Sequence, residues 1–159
     1  MSTITLDPQP TAAAEETSTM GRVVVKVELS NSYDDESCER GLIRADQVRR
    51  STVEALVDTG STVLCLPEDE IKKLGLKFFR ESVSKNASGQ KLVRKIYGPV
   101  NIKVMGRIDS VLAMEGKPGV PALLGQIPLE GLDLMVDSKR QRLVPGHPDS
   151  PNEQVVDMY

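Results

Sequence analysis

The middle of the chain is patterned with a period of two. Val23, Val25, Val27 and Leu29 alternate with Val24, Lys26 and Glu28, the spacing of a strand with one face buried. A polar stretch with Asp34, Asp35 and Glu36 reads as a loop. Strand-like sequence resumes at Thr52-Val53-Glu54-Ala55-Leu56-Val57, whose last residues are apolar on both faces and so end deep in the molecule. The segment Asp58-Thr59-Gly60-Ser61 follows, then a further buried strand, Thr62 to Leu66. Pro67 to Gly75 is different: proline opens it, Glu68, Asp69 and Glu70 stand near its positive end, Lys72 and Lys73 near its negative end, and glycine stops it. That is one short helix.

Downstream, turn residues bound short strand-like runs at Phe79 to Val83, Lys91 to Ile96, Val100 to Met105, Ser110 to Met114 and Ala122 to Leu124. A second short helix is expected near Pro128. Leu132 to Val136 and Arg140 to Val144 form a hairpin around Asp137-Ser138-Lys139. Many short strands with one or two brief helices predict an all-β domain, closed into a barrel or stacked as a sandwich. Residues 1 to 20 and 146 to 159 are polar and lack an apolar period, so both read as tails flanking a domain at 21 to 145.

Composition removes several function classes. With 159 residues the chain has room for one domain, so a two-lobed active site needs two chains. There is no Trp, and the aromatics are only Phe78, Phe79, Tyr33, Tyr97 and Tyr159, too few for base stacking. The net charge of −3, with basic residues spread among acidic ones, gives no footprint for nucleic acid or an anionic membrane. Neither a signal peptide nor a long apolar run occurs, so the expectation is a soluble, cytoplasmic protein. Cys38 and Cys65 are read as free thiols. The single histidine, His147, lies between prolines in the expected tail, which argues against serine triads, Cys/His dyads and His-based zinc sites. No metal and no cofactor is expected.

The remaining chemistry concentrates at Asp58. An acid between two apolar strands, followed by a hydroxyl residue and a glycine, sits in the floor of a cleft, where its carboxylate accepts from the Gly60 N–H and from the Ser61 hydroxyl. A hydroxyl donated to Asp58 favours the ionised form and moves activity to lower pH. Gly60 permits close approach of a second backbone.

The ordered set Ala55-Leu56-Val57-Asp58-Thr59-Gly60-Ser61, the strand to Leu66, and then Leu123-Leu124-Gly125 with a short helix and the closing Gln141-Arg142-Leu143-Val144-Pro145, resembles the retropepsin-like aspartic proteases, especially their small soluble microbial members. The resemblance covers roughly residues 22 to 145 and implies a closed β domain acting as a two-fold homodimer on peptide or protein substrates. It implies that Asp58 is catalytic, that Thr59, Gly60 and Ser61 form its loop with Thr59 bonding across the dimer, and that Leu123, Leu124 and Gly125 support that loop. It also implies a flap over the substrate at Asn86, Ala87, Ser88 and Gly89, although retroviral flaps are richer in glycine and apolar at the tip. No second Asp-Thr-Gly occurs; Asp109-Ser110-Val111 and Asp137-Ser138-Lys139 lack the glycine, so the second carboxylate must be Asp58 of another copy. Two other readings share these residues. One is a dimer of the same fold that binds extended peptides or protein partners and cuts little or nothing. The other takes Asp58-Thr59-Gly60 as a structural turn in an unrelated barrel.

Overall fold

The computed structural model describes residues 22–147. They form a mostly β unit with three short helices. The elements are β1 (Val23–Asn31), α1 (Ser32–Glu39), a 3-10 turn (Ala45–Gln47), β2 (Arg50–Val57), β3 (Leu64–Leu66), α2 (Glu68–Leu74), β4 (Phe78–Lys85), β5 (Lys91–Val104), β6 (Arg107–Glu115), β7 (Leu123–Leu124), α3 (Gln126–Gly131), β8 (Leu134–Asp137) and β9 (Arg142–Pro145). The expected tail at 1 to 20, and that at 146 to 159 from 148 onward, lie outside the described residues.

The main sheet runs β1-β2-β7-β3-β6-β5-β4, and an additional pairing of β1 with β5 joins its two sides into a ring of six strands with β4 outside. The period-two pattern explains what fills the ring. Val27, Leu29, Leu64, Leu66, Val100, Ile102, Val104, Ala113 and Leu124 are all buried and pack as one core. Burying each of the larger side chains among these contributes about 1.5–3 kcal/mol. α2 covers one flank through Ile71 and Leu74, and the left-handed Gly75 ends it as the sequence predicts.

Four expectations need correction. The acidic stretch read as a loop is α1. Asn31 caps it by accepting from the Asp34 N–H at 3.1 Å, while Asp34 and Asp35 lie in the first turn at the positive end of the helix. The runs at Lys91 to Ile96 and Val100 to Met105 are one strand, β5, with a register shift between Tyr97 and Val100 at Gly98-Pro99. Its first half pairs with β4 and its second with β1, so one strand belongs both to a hairpin and to the ring. The strand expected from Thr62 starts only at Leu64, because the carbonyls of Ser61 and Thr62 bond instead to the amides of Gln126 and Ile127. Finally, Gly146 and His147 fold back beyond the expected domain end: the Gly146 N–H donates to the Asp133 carbonyl at 2.8 Å, and His147 Nδ1 lies 2.7 Å from Asp133 Oδ1 on a ring that is otherwise largely exposed.

The same Asp133 anchors a buried arginine. Arg107, fully enclosed on β6, donates to the carbonyls of Leu132 at 3.1 Å and Asp133 at 2.7 Å and stands 3.6 Å from the Asp133 carboxylate. A buried cation is tolerable only when paired and hydrogen-bonded in this way. The pairing fixes the turn between α3 and β8, and through α3 the segment that follows β7.

Among the described residues no helix is long and apolar enough to cross a membrane. No group of three or more His, Cys, Asp or Glu there is arranged to hold a metal ion.

Candidate active site

Asp58 stands at the carboxyl end of β2, where the chain leaves the ring. Asp58 to Ser61 form a four-residue turn closed by the Ser61 N–H on the Asp58 carbonyl at 3.0 Å. Within it the Gly60 N–H donates to Asp58 Oδ1, also at 3.0 Å, as the sequence leads one to expect. The carboxylate is half-buried, and Thr59 and Gly60 at the apex are exposed.

The turn is held from below by the distant Leu123-Leu124-Gly125. β7 runs between β2 and β3, parallel to the first and antiparallel to the second. The Leu56 N–H donates to the Ala122 carbonyl at 2.9 Å and the Asp58 N–H to the Leu124 carbonyl at 3.0 Å. Beyond β7, the Gln126 N–H donates to the Ser61 carbonyl at 2.8 Å and the Ile127 N–H to the Thr62 carbonyl at 2.9 Å. Gly125 lies at the centre of this interlock. A Cβ there would come within 2.7 Å of the Val63 nitrogen and 2.8 Å of the Ser61 carbonyl oxygen, and closer still to the Val63 carbonyl oxygen. Two runs far apart in the sequence thus become one backbone-bonded floor.

Ser61 departs from its expected role. Its hydroxyl donates to the Val63 carbonyl, at a long 3.5 Å, and not to Asp58. It also lies beside Cys65, a residue that the sequence reading left without a task. Leu64 and Leu66 point into the core, so the intervening Cys65, also buried, faces the other way, towards Ser61 and Arg94. Burial pushes its thiol up, opposed by Arg94 and by hydrogen bonds from Ser61 and Arg94, while the charge of Asp58 raises it further. Arg94 comes from the first half of β5 and donates through Nε to the Glu115 carbonyl at 3.3 Å. Cys65 and Arg94 are therefore the residues the sequence reading missed. No local signal marks their meeting, which depends on the pairing of β3 with β6 and of β6 with β5.

The expected flap residues lie at the tip of a hairpin. β4 and the first half of β5 form a long hairpin with its turn at Asn86, Ala87, Ser88 and Gly89. Asn86 organises the tip: its Oδ1 accepts from the Ser88 N–H at 3.1 Å, the Ser88 hydroxyl at 2.7 Å and the Gln90 N–H at 2.9 Å. The hydrogen bonds of the tip are internal to it, and none reaches the Asp58 turn. β4 has no buried residue, and Phe78, Phe79, Val83 and Val93 are all about half exposed.

The sequence matches no family model and no curated protein.

Proposed function

We propose that the chain is a retropepsin-like aspartic endopeptidase, active as a homodimer with one Asp58 from each copy. The observation that carries this reading is the interlock at the floor: a half-buried aspartate whose amide is bonded to Leu124, with Gly125 packed under the same turn. A turn needed only to reverse the chain has no use for such support, and the exposed Thr59 and Gly60 leave its apex open to a second copy.

The chemistry follows from bringing two such carboxylates together. They cannot both ionise at low cost, so they share one proton. The ionised member takes a proton from water as its oxygen adds to the scissile carbonyl carbon. The protonated member gives its proton to the carbonyl oxygen. Collapse of the tetrahedral intermediate, with a proton passed to the departing nitrogen, breaks the C–N bond and returns the pair to its starting state. The hairpin covers the extended substrate.

The test is cleavage of a randomised peptide pool from about pH 3.5 to 7, comparing wild type with Asp58→Asn. Loss of at least about a thousandfold in rate, with the variant still folded and dimeric, supports the aspartic mechanism. Activity that survives the substitution overturns it. The polar, internally bonded hairpin tip favours a second reading, a dimer that holds extended peptides without cutting them. Peptide retention without cleavage by either protein would select that reading.

A further inference from the structure

We infer that Arg94 forms an anion subsite where the hairpin meets the floor, and that the peptides this protein takes carry an Asp or Glu side chain close to the scissile bond. The inference rests on the proteolytic reading above for the position of that bond.

The register of the hairpin pairs Arg94 with Ser82 and Ile96 with Arg80, so these residues share one face. Ile96 is buried and Arg94 half-buried, whereas Val93 and Lys95 on the opposite face are exposed. The Arg94 face is the one turned to the body. Arg94 reaches the Glu115 carbonyl at the end of β6, where Cys65 pairs with Met114 and Leu66 with Glu115. Its guanidinium borders the Cys65 thiol, whose other neighbour is Ser61 of the Asp58 turn. The cation therefore lies between the root of the hairpin and the floor.

No described carboxylate pairs with it. Arg40, Arg44, Arg49, Arg107, Arg140 and Arg142 each lie within 4.0 Å of an acidic side chain; among the described residues Arg22, Arg50, Arg80 and Arg94 do not, and of these four only Arg94 is half-buried. A guanidinium offers five N–H donors in a planar fork. One long bond to a carbonyl and a contact with a thiol leave most of that fork unused. A half-withdrawn cation in this condition is a poor structural element, but it matches an incoming carboxylate, which can take two parallel bonds. The charge around it agrees. From Phe78 to Tyr97 the basic residues are Arg80, Lys85, Lys91, Arg94 and Lys95 against the single acid Glu81, in a chain whose net charge is −3. Lys85, Lys91 and Lys95 stand with Glu81 on the outer face of the hairpin, so this excess acts at long range and draws acidic segments to the hairpin, while Arg94 is the half-buried cation of the inner face.

The test uses the full-length protein and paired peptides that differ by Glu against Gln at each position flanking the cleaved bond. For wild type, kcat/KM is expected to favour the Glu peptide at one position by about tenfold. Arg94→Gln should abolish that ratio, Arg94→Lys keep part of it, and Arg94→Glu reverse it in favour of Lys peptides. An arginine that merely braces the hairpin would alter all peptides alike and leave the ratio intact, which overturns the proposal. So does cleavage without acidic preference, or dissociation of the dimer on Arg94→Gln. If wild type cuts nothing, the proteolytic reading fails separately. Fluorescence anisotropy with Asp58→Asn then decides the subsite: tighter binding of Glu than Gln peptides, lost in the Arg94→Gln background, sustains it. Equal binding, or preference for a random oligonucleotide, removes it.

Discussion

The Asp58 floor and the β4–β5 hairpin contain similar lengths of chain and are held in opposite ways. The floor is tied by backbone bonds from β2, β7 and the start of α3, with Gly125 packed too closely for any side chain. The hairpin is tied to the body near its root, where Ile96 and Tyr97 pair with Met114 and Ala113 and Arg94 bonds to the Glu115 carbonyl; the edge-on contact of Phe78 with Tyr97 at 5.7 Å is internal to it. Regions rich in buried contacts open only with global unfolding, whereas exposed ladders open locally at little cost. The contrast teaches where precision is built in: the carboxylate is fixed, and the element beside it is left free to move. Such a division would serve the proposed endopeptidase, which must admit a polypeptide and then hold it.

Substitutions can break or sharpen this contrast. The largest effect is expected at Gly125. Gly125→Ala forces a methyl group against Val63 and Ser61, costs about 3 kcal/mol and lowers the thermal midpoint by many degrees, measurable by calorimetry. Asn31→Ala comes next, at about 2 kcal/mol in urea unfolding. The side chain caps α1 and also donates to the carbonyls of Leu74 at 2.9 Å and Gly75 at 3.2 Å, so one amide joins two helices.

Asp34→Asn is smaller, about 1 kcal/mol or less, because its partner Arg49 is half exposed. Arg49 holds the Asp34 carboxyl below the usual carboxylate range through a two-pronged bond at 2.8 and 3.0 Å. A carboxylate whose folded pKa is depressed stabilises above its unfolded value and loses that contribution as pH falls through the folded one. Unfolding curves of wild type and variant should therefore differ steadily near neutrality and converge below about pH 4. The smallest effect is expected on the hairpin: Val93→Ser, at an exposed site, should move stability by no more than about 0.5 kcal/mol. A loss comparable to that of Gly125→Ala would mean the hairpin is as firmly held as the floor.

Much of this was legible in the sequence where one local rule sufficed. Alternation from Val23 to Leu29, the proline and glycine around α2, and the Asp137 turn each carry their own signal, and β1, α2 and the β8–β9 hairpin follow from them. Asp58 and its Gly60 bond were readable for the same reason. α1 was missed because acids in a polar run suggest a loop unless Asn31 is recognised as a cap, and that cap acts together with a contact to α2 more than forty residues away. Cys65 and Arg94 escaped because their meeting depends on the pairing of β3 with β6 and of β6 with β5, neither of which leaves a trace in either residue's neighbourhood. For the same reason Ser61, adjacent to Asp58 in sequence terms, was assigned the wrong acceptor.

The first pair of the β1–β2 ladder sets Val23 opposite Val57. Because the strands are antiparallel, β1 begins at the end of the ladder where β2 leaves for the Asp58 turn. A bulky group attached at Arg22 itself therefore starts on the side of the Asp58 turn. A tag at the carboxyl end is the better starting point for assays, and comparing it with a group fused directly to Arg22 would report how much free space surrounds that turn.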